Sequence, residues 1–128
     1  LGQVQHRARV ATQGQALKAA QATLRVLGQR LFGGEAKDLA AQLPQELQQF
    51  VLPDDDTEES FGREEFLRRV SEKEGVDLPV AVHHARAVLS VLKEAVSAGE
   101  WNDIRAQLPE EYGPLLEFGA EGEMETTH

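Results

Sequence analysis

The sequence predicts an all-α protein: two tandem copies of a compact four-helix unit packed through their long helices, with no sheet. Three observations carry this prediction. The segment Leu24–Pro44 returns 65 positions later, without a gap, as Leu89–Pro109, so that Gly34-Glu35, Asp38 and Ala41-Gln42-Leu43-Pro44 reappear as Gly99-Glu100, Asp103 and Ala106-Gln107-Leu108-Pro109. Apolar residues recur at intervals of three and four in both copies, which is the period of one helix face. No stretch alternates apolar and polar residues over the length of a strand.

The first copy is expected to open with an amphipathic stretch at residues 1–10, in which Val4 stands where the second copy has Val70. Alignment pairs Leu1 with Leu67 after one residue of gap, so the first copy is expected to lack its opening turn. The chain begins with Leu1 rather than Met, which leaves room for upstream residues. The first long helix is expected over residues 15–32, where Leu17, Ala20, Leu24, Leu27 and Leu31 share a face. Gly33-Gly34 is expected to stop it. A short helix over Glu35–Gln42 follows, with Leu39 and Leu43 inward, and Pro44 breaks it because the residue before proline leaves the helical region. Pro44 also opens a helix over Gln45–Val51.

Residues 53–60, with Pro53 and five acids, read as a solvated linker between a first copy at 1–52 and a second at 61–118. The second copy opens with a helix over Arg63–Glu74, with Phe66, Leu67 and Val70 on one side. Its long helix carries Val82, Ala85, Leu89, Leu92 and Val96, with Pro79 in the first turn and Asp77 as the cap. Ala98-Gly99 is expected to stop that helix. A helix over Glu100–Gln107 turns Trp101, Ile104 and Leu108 inward, and a last one over Glu110–Phe118 is interrupted at Gly113-Pro114. Residues 119–128 lack periodicity and read as an acidic, flexible tail.

The long Leu/Val helix followed by Gly-Glu-x-x-Asp-(Leu/Ile)-x-Ala-Gln-Leu-Pro, together with Glu65-Phe66-Leu67-Arg68-Arg69-Val70 between the copies, resembles the bacterial domain of unknown function 2267 family. The resemblance covers nearly the whole chain outside the acidic tail. It implies an all-helical, two-copy, bacterial cytoplasmic protein, and it implies no catalytic residues.

Composition limits the function classes. The 128 residues carry a net charge of -9 with no cysteine, which excludes disulfides, thiolate metal sites and cysteine nucleophiles. No run is long and apolar enough for membrane insertion. The charge is divided: residues 1–53 have six Lys/Arg and three acids, a net of +3, while residues 54–128 stand at -12. The acidic total disfavours nucleic acid as a partner. The basic, glutamine-rich first half suits another protein, with Arg7, Arg9, Lys18, Arg25 and Arg30 as contact candidates and Trp101 as a core residue or an anchor.

No catalytic motif is present: Gly-x-Ser-x-Gly, His-Glu-x-x-His and the phosphate-cradling glycine patterns are all missing, and no enzyme activity or cofactor is expected. The repeated polar residues Glu35, Asp38, Gln42, Glu100, Asp103 and Gln107 read first as structural. Each Glu stands in a first helical turn, where the dipole favours an anion, and each Gln is placed to satisfy backbone groups at its proline break. If the four acids converge, a small-ligand or metal site between the copies is the alternative. Asp54, Asp56, Glu58 and Glu65 fit positions 1, 3, 5 and 12 of a calcium loop, but Glu59 occupies the position that requires Gly. His83 and His84 are adjacent and point about 100° apart, a poor chelating pair; His84 is expected at the core edge and His83 nearer solvent. The sequence thus favours a non-enzymatic, cytoplasmic interaction or regulatory module.

Overall fold

A computed structural model describes residues 2–9, 12–32, 34–52 and 60–116. Helix α1 spans Gly2–Ala8, α2 Gln13–Arg30, α3 Glu35–Ala41 and α4 Gln45–Val51. After the linker come α5 Arg63–Glu74, α6 Leu78–Ala95 and α7 Ala98–Ala106, then a 3₁₀ turn Glu110–Tyr112 that runs into α8 Gly113–Leu116. The described residues contain no strand. Both ends of α2 and α6 are 65 positions apart, and so are the start of α4 and of the 3₁₀ turn.

Helix α2 starts two residues before the apolar stripe requires, because Thr12 forms a capping box. Its hydroxyl accepts the Gln15 N–H, and the Gln15 side chain accepts the Thr12 N–H. The helix ends at Arg30, as Leu31 turns extended ahead of the glycines. Gly34, with φ of +83°, supplies the left-handed residue that starts α3.

The expected stop at Ala98-Gly99 is corrected. Helix α6 has already ended at Val96, and Ala98-Gly99 lie in the first turn of α7, where the Ser97 hydroxyl accepts the Glu100 N–H. Asp77 occupies the cap position of α6 without a side-chain bond, and Pro79 sits in the first turn. Gly113-Pro114 mark the change from 3₁₀ to α geometry rather than a break. Leu1, Val10, most of the linker and the tail lie outside the described residues, as do Asp54, Asp56 and Glu58 of the calcium-loop pattern.

Among the described residues, the larger of two apolar clusters runs through both halves of the chain, and a smaller one joins Val4 of α1 to Ala16, Ala19 and Ala20 of α2 and Val88 of α6. The larger takes Leu24, Leu27 and Leu31 from α2 and its exit, Leu89 and Leu92 from α6, Leu39 from α3 and Ile104 from α7. Leu17 and Val82, the first members of the two stripes, are only half-buried. The halves interlock: α1 packs on both α2 and α6, and α5 packs on both α6 and α2. Each half therefore uses the other's long helix to cover its opening helix.

Gly28 permits the closest helix approach in the first half. A Cβ there would stand 1.9 Å from the Val51 carbonyl oxygen, so α4 could not lie against α2 with any larger residue. In the second half Tyr112 closes the core. Its ring meets Phe66 edge-on at 5.7 Å, and its hydroxyl donates to the Phe61 carbonyl at 2.7 Å. Burial pushes the Tyr112 hydroxyl up to about 12, so it remains a donor.

Candidate functional site

Helices α3 and α7 meet where the two halves join, and the repeated polar residues gather at that junction. The glutamines cross over. The Gln42 side-chain carbonyl accepts the Ser97 N–H at 2.7 Å, and its amide donates to the Ser97 hydroxyl at 3.3 Å. Gln107 accepts the Phe32 N–H at 2.9 Å and donates to the Phe32 carbonyl at 3.0 Å. Phe32 and Ser97 are themselves 65 positions apart, so the two clamps are reciprocal. Each glutamine holds the chain entering the partner half's short helix. This corrects the expectation that each would serve its own proline break.

Between the clamps lie the acids. Glu35 and Glu100 are 8% and 7% exposed, while Asp38 and Asp103 are open to solvent. Carboxylate oxygens of Glu35, Asp38 and Glu100 lie within 4.8 Å of one another. Burial pushes the Glu100 carboxyl up to about 8, reinforced by a hydrogen bond with Glu35 and by the charges of Glu35, Asp38 and Asp103. The first-turn placement of both glutamates holds, as expected, but the dipole alone does not account for two buried acids facing one another.

The basic contact candidates differ in exposure. Arg30 is 5% exposed; its Nε donates to the Phe61 carbonyl at 2.9 Å and its guanidinium stands 5.9 Å from the Tyr112 ring. It is a core residue and is removed from the contact set. Trp101, 5% exposed, packs in the core and offers no anchor. Arg7 is tied to α6, donating to Ser90 at 2.9 Å and pairing with Glu94 at 2.6 Å. Arg25 is half-buried, and Arg9 and Lys18 are exposed. His84 is buried and donates from Nδ1 to Glu74, while His83 is half-buried against the Ala8 carbonyl at 3.2 Å, so both rings have structural partners.

A second feature was not visible in the sequence. A groove of about 640 Å³ runs between α5, α6 and α8. Leu67, Leu78, Val82, Pro114 and Leu115 give it an apolar lining, and Arg63, Arg68 and Arg86 outnumber Glu64 among its charges. Leu78 is 49% exposed at the start of α6, and Val80 beside it is also exposed. Arg63 Nε is buried without a hydrogen-bond partner. Arg68 is held on its own helix by Glu65 and Glu72, and Arg68 and Arg69 together hold the Glu65 carboxyl down to about 2. A helical period joins Leu78, Val82 and Arg86 along α6, yet nothing local says that α8 leaves this stripe partly uncovered.

Fold and junction define a small all-helical protein whose two halves are joined by a reciprocal polar clamp. The chain belongs to the domain of unknown function 2267 family: the family model, described as an uncharacterized conserved protein, matches residues 1–115. No curated protein matches the chain. Among the described residues, no helix is long and apolar enough to cross a membrane.

Proposed function

We propose that this chain is a non-enzymatic interaction module, a duplicated helical unit acting in the bacterial cytoplasm, that docks an amphipathic segment of another protein in the α5/α6/α8 groove. The observation that carries the reading is the chemistry of that groove: an open apolar floor beside arginines, on a chain whose net charge is -9. A segment with leucine-like side chains at intervals of three and four and acidic flanks complements it, the apolar residues covering Leu67, Leu78 and Leu115 and the carboxylates meeting Arg63 and Arg86. The unpartnered Arg63 Nε supports an acidic occupant, because a carboxylate satisfies a buried guanidinium N–H that now lacks an acceptor.

The test uses two synthetic amphipathic peptides with the same apolar face, one flanked by glutamates and one by lysines. Amide chemical shifts of the full chain should move around Leu67, Leu78, Val82 and Leu115 with the acidic peptide and not with the basic one. The variant Arg63→Glu/Arg86→Glu should reverse that preference, and Leu78→Asp should weaken binding of the acidic peptide. Shifts elsewhere on the molecule, or an unchanged preference in the charge-reversed variant, would remove the groove from the account.

A further inference from the structure

We infer that Glu35, Asp38 and Glu100 form a binding site for a hard divalent cation, of the calcium or manganese type, at the junction of the two halves. Acidic side chains at a helix start do not by themselves make such a site. Here two further facts point to a ligand. Glu35 and Glu100 are each more than nine-tenths buried, and in both the Oε2 atom is buried without a hydrogen-bond partner. Buried carboxylate oxygens are normally satisfied, since an unpaired one loses its hydration without replacement. A cation shared by the two satisfies both at once and removes the repulsion between them.

The donor set selects the ion. All three ligands are carboxylates, with neither His nor Cys in α3 or α7, which suits oxygen-seeking Ca²⁺, Mn²⁺ or Mg²⁺ and not zinc. The spacing is compatible with such an ion. Oxygens on opposite sides of a calcium ion bound at 2.3–2.6 Å stand roughly 4.6–5.2 Å apart, against about 4.1 Å around magnesium. The donor atoms here all lie within 4.8 Å of one another, inside the span that opposite oxygens of a calcium ion occupy, so the three carboxylates can share one ion. Asp38 is exposed beside the buried pair. Asp103 lies near enough to act on Glu100 through its charge and adds to the attraction.

Because Glu35 and Asp38 belong to α3 and Glu100 to α7, the ion would bridge the halves and make their union cation-dependent. This inference is independent of the groove, which lies on α5, α6 and α8.

The full chain, stripped with EDTA and held at pH 8.5, is titrated with MnCl₂ under electron paramagnetic resonance and with CaCl₂ under calorimetry. One equivalent should bind, and saturating Ca²⁺ should raise Tm by about 5–10 °C. Glu35→Gln and Glu100→Gln should each weaken binding at least tenfold. Asp38→Asn, whose exposed position leaves folding intact, should weaken it severalfold. A chain with Asp54, Asp55 and Asp56 changed to Asn should bind like the wild type. The inference is overturned if the wild type binds no Mn²⁺ at about 1 mM. Undiminished binding in Asp38→Asn and Glu100→Gln, or its loss on neutralising the linker, would overturn it equally.

Discussion

Glu100 sits where its own charge is costly. Its carboxyl is buried beside Glu35 and near two further acids, and its proton is held up to about 8 against an ordinary 4.5. The folded chain therefore binds a proton that the unfolded chain releases between these two values. Stability from this group is present below about pH 4.5 and declines as pH rises toward 8. Glutamine keeps the neutral shape and an N–H for Glu35, so Glu100→Gln should be more stable than wild type in EDTA. The advantage should grow between about pH 5 and 8 and reach on the order of 2 kcal/mol. Urea unfolding of both chains at several pH values measures it, and a difference independent of pH would contradict the placement of Glu100. The sequence showed Glu35 and Glu100 as equivalent acids in first turns. Their meeting was hidden because 65 residues separate them and no local pattern encodes a tertiary approach. The burial of Arg30 was hidden for a related reason. It follows Gln29 on a polar-looking helix end, and the Phe61 carbonyl and the Tyr112 ring that meet it inside are supplied by the other half.

At the scale of elements, helix starts and helix crossings follow different rules. The starts were legible. Thr12-x-x-Gln15 and Ser97-x-x-Glu100 both match the capping-box pattern, and attention to the second would have moved the end of the long helix from Ala98-Gly99 back to Val96. The apolar stripes were legible too, since Ala20, Leu24, Leu27 and Leu31 are all buried, as are Ala85, Leu89, Leu92 and Val96. The crossings were not. Gln42 and Gln107 stood out only as repeated side chains, and the sequence offers nearer partners than the ones they use at separations of 55 and 75 residues. Each clamp is solvent-exposed, so its net worth is about 0.5–1.5 kcal/mol. Gln42→Ala/Gln107→Ala should therefore lower the unfolding free energy by about 1–3 kcal/mol with helix content unchanged. An unaltered urea midpoint would show that the clamps follow the junction rather than hold it.

The molecule as a whole is defined by sharing. Helix α1 leans on α6 and α5 leans on α2, and each of the two apolar clusters draws residues from both halves. A sequence that reads as two successive units thus folds so that neither is covered without the other, and both the acid junction and the groove inherit their geometry from that arrangement. Small single domains usually unfold in one step. Trp101, the only tryptophan in the chain, is buried in α7 and reports on the second half, while far-ultraviolet circular dichroism reports on every helix. The most direct measurement is urea unfolding of the full chain followed by both signals. Coincident transitions with one midpoint are the predicted result. A tryptophan transition separated from the loss of helix would mean that the halves unfold independently, and would contradict the interlocked core.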